Sequence, residues 1–260
     1  MQRRYLQLDV FSERAGQGNP LGVVVDCEGL DSAAMQAIAG WLNLSETIFL
    51  LPPDAGASYQ LRIFTPRQEL PFAGHPSVGA AWAALELGLA QAGESRELVQ
   101  QCGAGLLPVK VVGSRWFRQL HVRTPAAQRR ETVIDALPAR LAALAHPESA
   151  PALWSNGPDW WLLRARSEAE LRRYQPELAA IAALPGSGKL ALYTPADRPD
   201  VGYQYVLRAF APGVGVNEDP VTGSAHALVA AALLQAGELA AGSQYLASQG
   251  RELGRNGEVR

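Results

Sequence analysis

Four side chains in this sequence are well suited to moving a proton at carbon and stabilising the charge that follows: Glu46, His75, Asp219 and Ser224. Two of them directly follow a glycine that opens an apolar, alanine-rich segment, as Gly74-His75 and Gly223-Ser224. A glycine there lets the backbone approach a ligand with no Cβ in the way. The first turn of a helix adds unpaired N–H groups and a positive dipole end. His75 and Ser224 can each hydrogen-bond a carboxylate or a developing enolate oxygen. Asp219 precedes the second glycine in Asn217-Glu218-Asp219-Pro220-Val221-Thr222. For either loop alone, N-capping by Ser224 or Asp219 and a satisfied loop histidine at 75 is the simpler account. Recurrence of the arrangement favours a site.

Glu46 lies in Asn43-Leu44-Ser45-Glu46-Thr47-Ile48-Phe49-Leu50-Leu51, directly before an apolar run. A carboxylate beside a buried strand has its ionised form disfavoured, which raises its pKa toward the range useful for proton transfer. The alternative is an exposed glutamate at a strand start. Asn19, in the turn Gly18-Asn19-Pro20, is a further polar candidate.

The elements that must position these groups are duplicated. Arg62-Ile63-Phe64-Thr65-Pro66 leads to Gly74, and Arg208-Ala209-Phe210-Ala211-Pro212 leads to Gly223. The arginines are 146 residues apart (208 − 62) and the glycines 149 (223 − 74), so the second loop is three residues longer. A duplicated strand–loop–helix unit implies two similar halves. The expected division is 1–123, around a helix at 76–87, and 124–260, around a helix at 224–236. Thr124–Arg130 is the expected linker, with the active site in the cleft between the halves. Short alternating or β-rich runs predict strands at Tyr5–Phe11, Gly22–Val25, Glu46–Leu51, Tyr59–Phe64, Leu98–Cys102, Leu106–Val112 and Trp116–Val122. In the second half they fall at Trp160–Arg164, Lys189–Tyr193, Tyr203–Phe210 and Gln244–Ser248. Further helices are expected after Asp31 or Ser32, at Ile134–Leu144, and at Glu168–Tyr174 and Glu177–Ala183.

Composition narrows the function classes. The 260 residues are 48% hydrophobic and 18% charged, enough apolar material for real cores. A net charge of −2 leaves no electrostatic footprint for nucleic acid or an anionic membrane. No apolar run approaches the ~20 residues of a spanning helix, and Met1-Gln2-Arg3-Arg4 lacks a secretory apolar region. Cys27 and Cys102 show no metal-type spacing, as expected of a cytoplasmic protein with idle thiols.

The chain resembles the PhzF-like isomerase family of phenazine biosynthesis, related in fold to diaminopimelate epimerase. The resemblance is carried by Asp9-Val10-Phe11 with Gly18-Asn19-Pro20, by Leu44-Ser45-Glu46-Thr47, and by Arg62–Pro66 with Glu69-Leu70-Pro71-Phe72-Ala73-Gly74-His75-Pro76. It continues through Arg208–Pro212, Glu218–Ala225, Gln249-Gly250 and Gly254-Arg255, in the family's order over nearly the whole chain. The resemblance implies an α+β fold of two pseudo-symmetric halves, each a curved, mostly antiparallel sheet around a central helix. It implies a homodimer acting on a small molecule with no metal or organic cofactor. By the same resemblance, Glu46 matches the glutamate that moves a proton between two carbons of a cyclic dienyl amino acid. His75, Asp219 and Ser224 match residues that bind and orient the substrate, with Gly74 and Gly223 beginning the helices that receive its polar groups. The epimerase relatives carry two cysteines where this chain has His75 and Ser224, which speaks against a two-thiol mechanism.

Two other classes compete. His75-Pro76-Ser77-Val78-Gly79 is a near miss to the G-x-S-x-G elbow of serine hydrolases, lacking its first glycine. A binding protein that keeps the fold without turnover is the other.

Overall fold

Among the described residues, every parallel strand pair is joined through a helix, as the geometry of a parallel crossover requires. The computed structural model describes residues 2–114, 117–186 and 188–260; Trp116, expected at the start of a strand, lies outside them. Within the described residues the chain divides into two units, the first formed by the segment up to Val10 together with Pro20–Pro125.

The first unit's sheet contains β1 (Tyr5–Val10), β2 (Asn19–Val24), β3 (Glu46–Leu51), β4 (Tyr59–Phe64), β5 (Glu69–Leu70), β6 (Glu97–Cys102), β7 (Gly105–Ser114) and β8 (Phe117–Val122). Their order is β1-β2-β3-β4-β6-β7-β8, with β5 on β4. The pairs β2–β3 and β4–β6 are parallel, while β3–β4, β4–β5, β6–β7 and β7–β8 are antiparallel. The crossovers are α1 (Ser32–Leu42) and α2 (Gly74–Glu86). Strands β1, β3, β4, β6 and β8 all pack on α2, so the sheet curls around that helix. Small residues make this possible: Ala80, Ala81, Ala83 and Ala84 are buried, and a Cβ at Gly79 would collide with Leu21 on β2.

The second unit comprises Phe11–Asn19 and Ala126–Arg260. Its sheet contains β9 (Gln128–Arg129), β10 (Ala152–Ser155), β11 (Asp159–Arg164), β12 (Leu190–Pro195), β13 (Tyr205–Ala211), β14 (Val216–Asp219), β15 (Ala247–Gln249) and β16 (Gly257–Val259). The order is β16-β15-β13-β12-β11-β10-β9, with β14 on β13. Here β11–β12 and β13–β15 are parallel. From β2 and β11 onward, the two sheets repeat the same sequence of parallel and antiparallel neighbours. The helices are α3 (Ala139–Leu144), α4 (Glu168–Arg173), α5 (Leu178–Ala182) and α6 (Gly223–Gln235).

The apolar runs of this unit are continuous because both sheet faces are covered. Trp160 and Leu162 of β11 pack with Ala191, Leu207 and Ala209 against Ala225, Leu228 and Val229 of α6. Trp161 and Leu163 point the other way, into a second core with Leu190, Leu192, Phe210, Leu141, Leu171 and Ile181. Strand alternation thus divides the Trp-rich segment between two cores.

Several boundaries differ from expectation for physical reasons. The helix expected at Ile134–Leu144 begins only at Ala139, because Pro138 occupies its N-cap. The two long helices start at Gly74 and Gly223, with Pro76 inside the first turn, where its missing N–H is harmless. Strands β5, β9, β10, β14 and β16 escape the sequence reading because two to four residues carry no period. The division falls after Pro125, and Phe11–Asn19 joins the second unit. Arg255 donates to the Gly16 carbonyl, and the Asn256 amide donates to the Gln17 carbonyl at 3.0 Å. No local pattern announces contacts of such sequence separation. Among the described residues, no helix is long and apolar enough to cross a membrane.

Candidate active site

In the first unit the chain turns sharply to present Glu46. Asp31 caps α1 by accepting from the Ala34 amide at 2.8 Å, and Asn43 ends it in a left-handed conformation at φ 51°. Glu46 then opens β3, beside Leu21 on β2, while Thr47 through Leu50 behind it are buried. His75 is the second residue of α2, and its Nδ1 lies 3.5 Å from Glu46 Oε2. The two side chains are 3% and 15% exposed, which sets the pair in a largely desolvated setting. Burial pushes the His75 pKa down to about 3, so the imidazole is neutral at physiological pH. The contact is therefore between a carboxyl group and a neutral ring. His75 Nε2 is buried without a hydrogen-bond partner in the protein, which leaves it for a ligand atom.

The second unit gathers Asn19, Asp219 and Thr222. Asn19 Nδ2 donates to Asp219 Oδ1 at 2.7 Å and to the Val221 carbonyl at 2.8 Å. The Thr222 hydroxyl donates to Asp219 Oδ2 at 2.5 Å. Burial nevertheless raises the Asp219 pKa to about 6, against the effect of these donors and with repulsion from Glu218 adding to it. Gln249 locks the loop: its Nε2 donates to the Asp219 carbonyl at 2.7 Å and to Thr222 Oγ1 at 3.0 Å, and its Oε1 accepts from the Thr222 amide at 2.9 Å. With that amide oriented, His226 Nε2, 3.0 Å from Gln249 Oε1, carries its hydrogen, leaving Nδ1 bare. Gly250 permits the approach, since at φ +93° a Cβ would lie 2.6 Å from the Pro220 carbonyl oxygen.

Neither long helix is capped by a side chain: Ala73 and Thr222 are the N-cap residues, and neither accepts from the first turn. Ser224 and Asp219 are therefore not N-caps. Gly74 and Gly223 lie outside the positive-φ set, so no left-handed backbone calls for a glycine at either position. The repeated arginines pin the loops. Arg62 forks onto Glu69 at 2.7 and 2.6 Å, and Arg208 forks onto Glu218 at 2.8 Å on both arms. Each pair fixes the strand that leads into its glycine, so the motif is scaffold rather than chemistry.

The structure thus joins Glu46 with His75 beside Gly74, and Asn19 with Asp219 ahead of Gly223 and Ser224. Sequence reasoning assigned no role to Thr222 or Gln249. The missed signal is the repeat itself: Gln249 stands 149 residues after Gln100 (249 − 100), the offset of the glycines. Gln100 Nε2 donates to Ser77 Oγ at 3.0 Å, just as Gln249 contacts His226. Ser77 is fully buried and donates to the Ala73 carbonyl at 2.8 Å, which does not suit a hydrolytic nucleophile. Cys27 packs in the core formed by Val24, Met35 and Phe49, where burial pushes its thiol up to about 11. Among the described residues, no His, Cys, Asp and Glu group is arranged to hold a metal ion.

The family described as phenazine biosynthesis-like protein, PhzC-PhzF, matches residues 8–260. An uncharacterized isomerase of Mesorhizobium japonicum is 36% identical over 99% of this chain and 89% of its own. The trans-2,3-dihydro-3-hydroxyanthranilate isomerase of Pseudomonas aeruginosa is 32% identical over 97% of this chain and 87% of its own. Among solved structures, the Bacillus anthracis phenazine biosynthesis protein of the PhzF family has a TM-score of 0.82 at 23% identity, covering 99% of this chain and 89% of its own.

Proposed function

This chain belongs to the PhzC-PhzF family of phenazine biosynthesis-like proteins and is an isomerase, and on that premise we propose that it moves a proton between two carbons of a small carboxylate-bearing substrate, with Glu46 as the single acid and base and no cofactor. The observation that carries this reading is the carboxyl of Glu46 beside the neutral imidazole of His75. One carboxylate can take a proton from carbon and return it elsewhere, if the charge left behind is delocalised and met by donors. His75 offers Nε2 to the substrate. Asp219 and Ser224 bind its polar groups, with the first-turn amides at Gly74 and Gly223 receiving an anionic oxygen. Relatives named for trans-2,3-dihydro-3-hydroxyanthranilate supply the first substrate class to try, a cyclic amino acid. The working form is a homodimer in the cytoplasm, which sedimentation of the purified protein and cell fractionation check.

The test is solvent deuterium incorporation into a panel of small cyclic carboxylates, with wild type and Glu46→Gln side by side. The variant should lose about 100- to 10,000-fold in exchange, the range of general acid–base catalysis, while binding the same compound within a few-fold. Unchanged exchange in Glu46→Gln would overturn the assignment. A protein that binds but exchanges nothing in wild type would instead be a binding module.

A further inference from the structure

The Trp-rich segment from Trp154 to Trp161 has no part in the roles above, yet it touches Ser224 twice. Trp160 Nε1 lies 3.1 Å from Ser224 Oγ. An indole nitrogen only donates, so the Ser224 oxygen accepts there and its own hydrogen is directed elsewhere. Asn156, in the turn between β10 and β11, holds the backbone of the same residue: its Nδ2 donates to the Ser224 carbonyl at 3.0 Å. The other atom of that amide, Asn156 Oδ1, is buried without a hydrogen-bond partner in the protein, although the residue is only 1% exposed. An orphaned acceptor of this kind suits a donor on a ligand.

Lys189 completes the group. It is 7% exposed and sets Nζ 5.4 Å from the centroid of the Trp160 ring. An ammonium over an indole face is attracted to it and polarises the ring, making the N–H a stronger donor. Strand register gives Lys189 a telling position. Thr47 pairs with Phe64 as Leu190 pairs with Phe210, so Lys189 stands in the second unit where Glu46 stands in the first. The duplicated scaffold carries an acidic residue in one copy and a basic one in the other.

We propose that Trp160, backed by Lys189, is a positioning residue that fixes Ser224 as a hydrogen-bond donor. Ser224 then takes an acceptor-only carboxylate oxygen of the substrate and discriminates against a carboxamide, while Asn156 Oδ1 takes a donor such as a ring amine on the same molecule. This inference rests on the reading of Ser224 as a substrate-binding residue and extends it to the groups that orient it.

Calorimetric titration with anthranilate, benzoate and anthranilamide as probes tests it on wild type, Trp160→Phe, Lys189→Met, Asn156→Ala and Ser224→Ala. Wild type binds anthranilate more tightly than either other compound. Trp160→Phe and Ser224→Ala each weaken anthranilate about tenfold, as loss of one hydrogen bond to a charged group predicts, and change anthranilamide little. The double variant is no weaker than Ser224→Ala alone, because both changes remove one interaction. Lys189→Met loses a smaller part of the preference, and Asn156→Ala erases the advantage over benzoate. In ligand-free protein with 15N-labelled tryptophan, Ser224→Ala moves the Trp160 indole N–H resonance, a readout independent of any ligand. Additive losses, a Trp160→Phe protein that keeps the carboxylate preference, a wild type without that preference, or an indole resonance unmoved by Ser224→Ala would overturn the inference. Persistence of deuterium exchange in Glu46→Gln alongside the expected binding pattern would sink only the role of Glu46.

Discussion

His75 meets Glu46 through Nδ1 at 3.5 Å, and burial keeps that ring neutral. An imidazole in this state neither forms an ion pair with the carboxylate nor competes with it as a base near pH 7. On the proposed mechanism it orients and polarises, and proton transfer is left to the glutamate.

The first prediction follows from that division of labour. His75→Asn should lower kcat/KM by about 10- to 100-fold, the value of a hydrogen bond to a charged partner. The variant should lose no ionisation from the pH–rate profile, because the group removed does not titrate in the working range, while the limb set by Glu46 moves with the loss of its neighbour. NMR titration of the wild type should show no protonation of His75 above pH 5. Protonation of His75 above pH 5 in that titration would contradict the neutral assignment.

Asp219 gives a stability prediction with a definite sign. Its folded pKa of about 6 lies above its ordinary value of 3.8. The fold therefore favours the protonated form. The stability linked to this group is full below pH ~4 and is lost as pH rises through 6. Urea unfolding at pH 4 and pH 8 should show Asp219→Asn gaining relative to wild type at the higher pH. An equal difference at both values would refute the raised pKa.

The two arginine–glutamate pairs should differ although their sequences repeat. Arg208 is buried and also donates to the Leu171 and Tyr174 carbonyls at 3.1 and 2.7 Å. Removing it strands Glu218, so Arg208→Met should cost about 3–5 kcal/mol. Arg62 and Glu69 are 26% and 41% exposed, and Arg62→Met should cost about 0–1 kcal/mol. Denaturant midpoints of the two variants compare them directly.

Ser77 offers a negative control. Its hydroxyl is spent on the Ala73 carbonyl and the Gln100 amide. A fluorophosphonate should leave it unlabelled under conditions where isomerase activity is measured, and labelling would revive the hydrolase reading.

Much of this was legible in the chain. Strands β3 and β4 coincide with their sequence reading, because Glu46–Leu51 and Tyr59–Phe64 are β-rich runs bounded by turn residues. The duplicated glycines mark the true starts of α2 and α6. The transfer of Phe11–Asn19 to the second unit was invisible, since it rests on hydrogen bonds to residues some two hundred positions away. The role of Gln249 is not legible locally, because one glutamine in a three-residue strand carries no period. Trp154, Trp160 and Trp161 are all buried in the cores, and the second task of Trp160 depends on where one nitrogen points.

The central claim is that one carboxylate carries the proton from carbon to carbon. Its most direct measurement is a single turnover in ordinary water of trans-2,3-dihydro-3-hydroxyanthranilate, or of a better substrate from the panel, deuterated at the carbon that gives up its proton. Wild type should return part of the deuterium to the receiving carbon, and Glu46→Gln should form product about 100- to 10,000-fold more slowly. Product formed by Glu46→Gln at the wild-type rate, with the label distributed as in wild type, would contradict the claim.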